Sequence, residues 1–163
     1  MRTPLVLLCA SVLVLTGCSS TDEAGFQADG SCDGVVVEVN FGELGERIEE
    51  CVAINGTTEV AKDLLSQAGV SVEGTKEYGD AVVCRVNGFP SATEAIEIDG
   101  QEPHLETCEE FPPAFAYWAL WVKNTPDTEW EYAMEGVGTL QLGKGQSVGL
   151  VFSTNGETPT PSQ

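Results

Sequence analysis

The residues with the most specific chemistry in this chain are its six cysteines. Cysteine thiolates can bind zinc, two cysteines can form a disulfide, and one cysteine beside an export signal can accept a lipid. Structural zinc sites commonly contain a Cys-x-x-Cys pair, and this spacing is absent from the sequence. The cysteines therefore predict cross-links and a lipid anchor, and we expect neither a metal site nor a cofactor.

The start of the chain is typical of a bacterial export signal. Arg2 supplies a positive charge, and residues 4–15 form an almost wholly apolar run, which is shorter than the about 20 residues of a membrane-spanning helix. The run ends in Leu15-Thr16-Gly17-Cys18, which resembles the bacterial lipobox. The resemblance implies that a signal peptide of residues 1–17 is removed and that the Cys18 sulfur receives a diacylglyceryl group, with further acylation such as palmitate. The mature protein is then expected on the extracytoplasmic face of the cell membrane, held by its lipid.

Removal of this signal takes Cys9 away and leaves Cys18 to the lipid. The cysteines that remain for the folded domain are Cys32, Cys51, Cys84 and Cys108. Outside the cytoplasm such thiols oxidise, so two disulfides are predicted. Four cysteines allow three connectivities, and the sequence alone leaves them open. We prefer the sequential pairing, Cys32 with Cys51 and Cys84 with Cys108.

No residue pattern points to catalysis. The single histidine, His104, lies in a polar stretch, and no serine occurs within a Gly-x-Ser-x-Gly motif. A glycine-rich phosphate loop and the regular acidic spacing of a calcium-binding loop are likewise absent from the sequence. Neighbouring carboxylates such as Glu49-Glu50 and Glu109-Glu110 are expected by chance in so acidic a chain. We therefore expect a protein that is not an enzyme.

The chain is strongly acidic. It carries 26 acidic and 7 basic residues, and loss of Arg2 with the signal brings the net charge from −19 to −20. Such a charge repels nucleic acid and anionic lipid headgroups, so nucleic acid is not expected as a partner. The acidic excess is most simply a solvated surface, and its functional alternative is attraction of cations or of a basic partner.

The four remaining cysteines lie in one predicted domain of residues 32–153. The hydrophobic pattern of this domain predicts an α+β fold. We expect a mixed β-sheet with one main helix packed on it, stapled by the two disulfides. Val35, Val37 and Val39 alternate with polar residues and predict a half-buried first strand. Further strands are predicted at residues 48–54, 81–86, 130–133, 139–142 and 148–152, and a long acidic loop at residues 91–110. Composition predicts a flexible lipidated tether at residues 18–31 and a disordered tail at residues 154–163.

The main helix is predicted from an apolar stripe that includes Val60, Leu64 and Ala68. The hydroxyl groups of residues 57–58 offer an N-cap oxygen for this helix. Gly69 follows the stripe directly and is expected to form its C-terminal cap, because glycine readily adopts the left-handed conformation that such caps need.

Residues 112–123 carry the aromatic side chains around which the domain is organised. At the period of a strand, one apolar face consists of Phe115, Tyr117, Ala119 and Trp121. The other apolar face consists of Ala116, Trp118, Leu120 and Val122. A strand of this kind belongs in the middle of a sheet, covered on both sides. Most simply these side chains form core, and the sharper interpretation is that Tyr117 and Trp121, whose face ends at Lys123, reach a rim and contact a ligand.

A group of motifs points to a known family. The chain combines an opening Val-x-Val-x-Phe strand, a helix ending Leu64-Leu65-Ser66-Gln67-Ala68-Gly69, the segment Cys84-Arg85-Val86-Asn87-Gly88-Phe89-Pro90, the aromatic strand, Trp130 and a glycine turn near Gly145. Over roughly residues 35–152 it resembles the transcobalamin C-terminal-like domain family, and within it an actinobacterial lipoprotein branch with two disulfides. The resemblance implies a β-grasp-like fold. In the cobalamin carriers this domain closes over the corrin, so small-ligand binding is implied as well.

Together these features predict a membrane-anchored extracytoplasmic lipoprotein that acts as a non-enzymatic binding module. The ligand that the resemblance implies is vitamin-like, of corrinoid type, and is handed to a membrane transporter. The alternative is a cell-envelope lipoprotein whose acidic face serves protein–protein interaction or a structural role.

Overall fold

The computed structural model describes residues 25–157 and 159–162. The expected signal peptide, the lipidation of Cys18 and the first residues of the tether lie outside this part of the chain and stay predictions, as do the domain boundaries. Within the described residues, no helix is both long and apolar enough to cross a membrane.

The described chain is built mainly from strands, with one α-helix early in the sequence. The elements in order are β1 (Val35–Asn40), β2 (Ile48–Val52), β3 (Glu59–Val60), α1 (Ala61–Gln67), β4 (Val72–Thr75), β5 (Gly79–Val86), β6 (Ala116–Lys123), β7 (Glu131–Tyr132), β8 (Gln141–Leu142) and β9 (Ser147–Thr154). The helix and every strand that the hydrophobic pattern predicts are present, with small shifts at their ends. The pattern left β4 unassigned because it is short and weakly alternating. It placed Glu59 and Val60 in the helix, whereas they form the short strand β3, which pairs with β8.

The main sheet is mixed and has the strand order β2-β1-β9-β6-β7. Strands β1 and β9 run parallel, and the other neighbouring pairs are antiparallel. Two small antiparallel pairs, β3 with β8 and β4 with β5, accompany this sheet. The α+β class, with a mixed sheet and one helix among the described residues, is confirmed.

The central strand of the sheet is β9, whereas the sequence pattern predicted the aromatic strand β6. Strand β9 is buried at every residue from Ser147 to Ser153. Its position is concealed in the sequence because Gly149 and Ser153 interrupt the apolar pattern on one of its faces. Strand β6 lies between β9 and the short β7, which pairs only with Trp121 and Val122. The rest of the outer edge of β6 has no strand partner in the described part of the chain.

Trp118 lies within the main core, as predicted. Its ring centroid is 5.1 Å from that of Phe41 and 5.3 Å from that of Phe152, both in edge-to-face contacts. Its indole N–H donates a hydrogen bond to the carbonyl oxygen of Phe89 at 3.1 Å. Leu64 of α1 is completely buried in the same cluster, so the helix covers this face of the sheet. The indole is therefore held both by packing and by a satisfied N–H group.

The opposite face of β6 is covered by a second cluster and by the C-terminal residues. The buried members of this cluster are Ala119, Trp121, Trp130 and Val151. Pro161 is buried against Gly149, where a Cβ atom would lie 2.2 Å from the Pro161 Cγ. The tail therefore differs from the disordered segment predicted at residues 154–163: Thr154 ends β9, and Pro161 fits the space that Gly149 leaves open.

The tail also changes the surroundings of Glu38, which the sequence placed on the polar face of a half-buried β1. The Glu38 side chain is buried, with Oε1 accepting a hydrogen bond from Ser162 Oγ at 3.2 Å and Oε2 accepting one from Arg47. The Trp130 indole N–H donates to the same Ser162 hydroxyl at 3.0 Å. Desolvation raises the pKa of Glu38, against the opposing effect of the Arg47 charge. The prediction of a half-buried strand fails at Glu38, which the C-terminal residues cover, whereas Val36 and Asn40 on the same face are partly exposed.

The helix begins later than the hydroxyl cap predicted at residues 57–58. Its first N–H groups, on Ala61 and Lys62, donate to the carbonyl oxygens of Leu140 and Val137, both at 2.9 Å. No side chain among the described residues caps this end of the helix. Backbone carbonyls from the segment around β8 satisfy the helix start, which a sequence pattern cannot reveal.

The other end of α1 is as predicted. Gly69 has a left-handed φ of 74°. The N–H groups of Gly69 and Val70 donate to the carbonyl oxygens of Ser66 and Leu65, the hydrogen-bond pattern of a Schellman motif. The predicted C-terminal cap is confirmed.

Both disulfides are present in the sequential pairing. Cys32 is joined to Cys51 with a Cα–Cα distance of 5.7 Å, and Cys84 to Cys108 with one of 5.4 Å. The first bond ties the start of the domain to β2. The second ties the end of the acidic loop to β5, which brings that loop beside the aromatic strand.

Candidate functional site

A groove with a volume of about 830 Å³ runs between β5 and β6. This volume lies within the range of about 300–1,000 Å³ that is typical of ligand pockets. Consecutive residues of both strands line the groove, residues 81–83 of β5 and residues 117–120 of β6. Successive side chains of a strand point to opposite faces, so lining by consecutive residues means that the groove follows the strand edges.

Exposed apolar side chains are concentrated around this groove. Four large ones line it: Tyr78, Phe111, Tyr132 and Met134. Met134 is 95% exposed and Phe111 is 62% exposed. In the described part of the chain, the other large apolar side chains with comparable exposure are Phe26, Leu44 and Leu105. Clustering of exposed apolar surface at one concave place is typical of a binding site.

The backbone edge of β6 faces into the groove. The carbonyl oxygen of Leu120 accepts a hydrogen bond from the Ala133 N–H at 2.9 Å, so the backbone groups of Leu120 point away from β9. This orientation recurs every second residue and therefore turns the N–H and C=O groups of Trp118 the same way. Among described strands, β5 pairs only with β4. The groove thus separates two strand edges.

The two residues predicted to contact a ligand are placed differently. Tyr117 is half-buried and lines the groove, and its ligand role stays a prediction. Trp121 is buried, and its ring stacks on that of Tyr132 with centroids 3.9 Å apart. Tyr132 lines the groove and Trp121 does not. The expectation that Trp121 reaches a rim is wrong because β7 places Tyr132 over it.

Acidic groups surround the groove. Glu135 is the charged residue among those that line the groove in the described chain. A hydrogen bond to Glu77 raises the pKa of Tyr78, with further contributions from desolvation and from the charges of Glu77 and Glu110. With Glu135 in the lining, Glu77 and Glu110 near Tyr78 and no cation in the described lining, the groove presents a negative potential to a ligand.

The wall formed by β5 is fixed by residues of this strand that do not line the groove. The Cys84–Cys108 bond joins β5 to the segment that leads into β6. Arg85 is buried, and its guanidinium donates hydrogen bonds to the carbonyl oxygens of Pro90 at 2.6 Å and Glu106 at 2.8 Å. A covalent bond and a buried cation therefore hold this strand, so the groove is preformed.

The side chains suited to metal binding or catalysis are engaged elsewhere. Glu73, Cys84 and Cys108 bring an oxygen and two sulfurs within 4.8 Å of one another, but the two sulfurs form a disulfide and offer no thiolate. His104 Nε2 lies 3.3 Å from Glu106 Oε2, within the acidic loop. Glu106 also accepts the backbone N–H of Cys108 at 2.6 Å, so this pair organises the loop around the disulfide.

A second cavity, of about 490 Å³, has an acidic lining. Its carboxylates belong to Glu43, Glu97, Asp99 and Glu157. All four side chains are exposed, so water solvates their charges without a bound cation. We assign no role to this cavity.

Sequence reasoning missed the exposed side chains around the groove. Phe111, Tyr132 and Met134 fall in irregular segments or a very short strand, where the strand period cannot assign a face. Two signals were present. Phe111 stands directly before Pro112-Pro113, where an interior strand cannot run, and Tyr132 and Met134 lie between acidic neighbours in residues 131–135.

No protein-family model, curated protein or solved structure matches this chain.

Proposed function

We propose that this chain is a membrane-anchored extracytoplasmic lipoprotein that acts as a non-enzymatic binding module, with its ligand held in the groove between β5 and β6. The observation that carries the proposal is the concentration of exposed apolar side chains at a groove with fixed walls. The vitamin-like, corrinoid-type ligand and the receiving membrane transporter implied by the resemblance are part of the same proposal.

The proposed fold is β-grasp-like, of the transcobalamin C-terminal-like type. This is supported by the strand order, in which β1 and β9 pair in parallel at the middle of the sheet. Strand β2 lies beside β1 on one side of this pair, and β6 with β7 lies on the other side. The helix covers one face, with Leu64 and Leu65 completely buried.

The proposed location rests on the N-terminal sequence and on the disulfides. The lipobox-like Leu15-Thr16-Gly17-Cys18 supports lipid attachment at Cys18. The two disulfides, Cys32–Cys51 and Cys84–Cys108, are compatible with an oxidising compartment outside the cytoplasm. Two acyl chains provide stable anchoring, which one chain does not.

The second candidate function is interaction with another protein of the cell envelope. It is favoured by the net charge of the chain and by Glu135 in the groove lining, because such a surface attracts a basic partner. Both candidates use the groove, and they differ in the chemistry of what fills it.

A groove-blocking variant tests the proposal. Ala114 is exposed and lines the groove, so Ala114→Trp places an indole in it. Ala92 is exposed and does not line the groove, and Ala92→Trp is the matched control. We expect a small molecule or peptide to be released from wild-type and Ala92→Trp protein purified from native membranes, and to be lost from Ala114→Trp, as measured by mass spectrometry.

The proposal fails if nothing is released from the wild type, or if all three proteins release the same molecules in the same amounts. A corrinoid or other cofactor among the released molecules would favour the carrier function. A released peptide or protein would favour the interaction function.

A further inference from the structure

We propose that the occupant of the groove is an extended polypeptide segment of a partner protein, with basic and apolar residues in alternation, which adds as a strand to the outer edge of β6. This inference rests on the proposed function of the groove and names the class of its ligand. A peptide of this kind differs from a flat vitamin-like ligand because it forms hydrogen bonds with the backbone of β6 and does not contact its side chains alone.

The outer edge of β6 has backbone groups that an extended peptide could pair with. On the groove side, β7 pairs with β6 only at Trp121 and Val122, and the Ala133 N–H donates a hydrogen bond to the carbonyl oxygen of Leu120. The preceding residues of β6 keep that edge without a strand partner among the described elements. An unpaired edge of this kind is the template for strand addition by an extended peptide. The Ala116 N–H donates to the carbonyl oxygen of Pro113, so the unpaired edge lies between this bond and the one at Leu120. At about 3.4 Å per residue, residues 117–119 offer room for about three peptide residues.

The exposed aromatic side chains around the groove favour a peptide with apolar residues. Neighbouring side chains of an extended peptide point alternately to opposite sides. On one side of the β6 edge they would meet the exposed rings of Tyr78 and Phe111, whose centroids are 4.4 Å apart. Apolar residues at every second position of the peptide would cover these rings. Burial of such exposed apolar surface supplies the favourable free energy of association.

The negative charges in and near the groove favour a peptide that also contains basic residues. Glu135 lines the groove, and Glu77 and Glu110 lie close enough to Tyr78 to raise the pKa of its hydroxyl. Lysine or arginine residues between the apolar positions of the peptide would be attracted to Glu135, and the charges of Glu77 and Glu110 beside Tyr78 add to the negative potential that draws them in. A peptide with acidic residues at the same positions would be repelled, and the net charge of −19 of the whole chain increases that difference.

Synthetic peptides of about eight residues provide the probes, a length that exceeds the unpaired edge. One alternates Lys and Val, and its matched control alternates Glu and Val. We expect the Lys-Val peptide to bind the purified full-length protein, and the Glu-Val peptide to bind at least about tenfold more weakly, measured by fluorescence anisotropy. The affinity of the Lys-Val peptide should fall as salt is added, because the ion pairs are near the surface.

Two variants with the same change of charge test the location. Met134 lines the groove and is 95% exposed, so Met134→Lys adds a repelling charge there without removing core packing. Leu105 is 43% exposed and does not line the groove, so Leu105→Lys is the control. We expect Met134→Lys to weaken binding of the Lys-Val peptide by about tenfold and Leu105→Lys to leave it nearly unchanged.

Backbone pairing has its own measurement. Strand addition should slow hydrogen exchange of the Trp118 amide, measured by NMR with and without the Lys-Val peptide, by about tenfold or more. Binding without this protection, equal binding of the Glu-Val peptide, or equal effects of Met134→Lys and Leu105→Lys would each overturn the inference. If no peptide binds while Ala114→Trp still abolishes release of a small molecule, the inference fails and the proposed function stands. If neither is observed, both fail.

Discussion

At the scale of single residues, the two tryptophans of β6 are both buried but are held differently. The Trp118 N–H donates to the carbonyl of Phe89, whereas the buried Trp121 N–H has no hydrogen-bond partner among the described residues. Trp121 is stabilised by its stack on Tyr132 and by the second cluster. Tyr117, on the same face as Trp121, is half-buried and lines the groove. The three aromatics therefore differ in what their removal should cost.

We expect Trp118→Ala and Trp121→Ala each to lower the free energy of unfolding by about 3–5 kcal/mol, because both side chains fill buried space. Tyr117→Ala should cost less stability and should weaken ligand binding. Trp118→Phe should cost about 1 kcal/mol more than Trp121→Phe, since only the first loses a hydrogen bond. Thermal and denaturant unfolding of these variants measure the differences. A Trp118→Ala protein that unfolds like the wild type would contradict its placement in the core.

Strand alternation predicted correctly which face each aromatic of β6 occupies. It could not predict what covers each face. Trp121 was expected at a rim because its face ends at Lys123, but Tyr132 from β7 and Pro161 from the tail close that side. Coverage depends on contacts between residues distant in sequence, and a local pattern contains no information about those contacts.

At the scale of elements, the tail and the central strand are matched to each other. The absence of a side chain at Gly149 lets Pro161 lie on β9, and Ser162 then bridges Glu38 and Trp130. This arrangement buries a carboxyl group and raises its pKa. A raised pKa means that the folded protein binds a proton there more tightly than the unfolded chain does. This contribution to stability is present at low pH and is lost as the pH rises through the pKa of the folded state.

We expect Gly149→Ala to displace the tail, because the new Cβ would collide with Pro161. The free energy of unfolding should fall by about 1–3 kcal/mol. The same substitution in a chain that lacks residues 159–163 should cost much less, since the remaining neighbour, the Trp130 ring, is 3.4 Å away in ordinary contact. Unfolding of the four proteins of this double-mutant cycle gives the coupling. Additive effects would show that the tail does not occupy this position.

The same substitution should change the dependence of stability on pH. With Glu38 returned to solvent, the part of the pH dependence that comes from its raised pKa should be reduced. Unfolding measured over a pH series compares wild type, Gly149→Ala and Glu38→Gln, of which the last lacks the titrating group. A Gly149→Ala profile identical to that of the wild type would contradict the link between the tail and Glu38.

The elements themselves were largely predictable, and their ends and neighbours were not. The strand and helix periods located β1, β5, β6 and α1, and the cysteine count predicted two disulfides. The start of α1 was misplaced because carbonyls of Leu140 and Val137, far along the chain, replace a side-chain cap. The groove was missed for a related reason, since it lies between strand edges that are distant in sequence.

At the scale of the whole molecule, an acidic domain with a preformed groove is proposed to be held at a membrane by its N-terminal lipid. The charge of −20 after loss of Arg2 disfavours direct contact with anionic headgroups, so the anchor and not the domain surface would provide membrane attachment. A tether of residues 18–31 would separate the two. On this view the groove is free to meet a partner beyond the headgroups.

The membrane attachment is predicted to depend on one atom, the Cys18 sulfur, because no other atom of the proposed lipobox can form the thioether to a diacylglyceryl group. In Cys18→Ala we expect the lipid-modified product that begins at residue 18 to disappear and the full precursor, with residues 1–17, to accumulate. Cys9→Ala is the matched control, since Cys9 lies in the apolar run and is removed with it, so its product should equal that of the wild type. Intact-protein mass spectrometry of membrane fractions measures the N-terminus and the lipid together.

A Cys18→Ala chain that is cut before residue 18 and remains in the membrane like the wild type would show that anchoring has another origin. Equal precursor accumulation in Cys9→Ala would show instead that the export signal itself had been damaged.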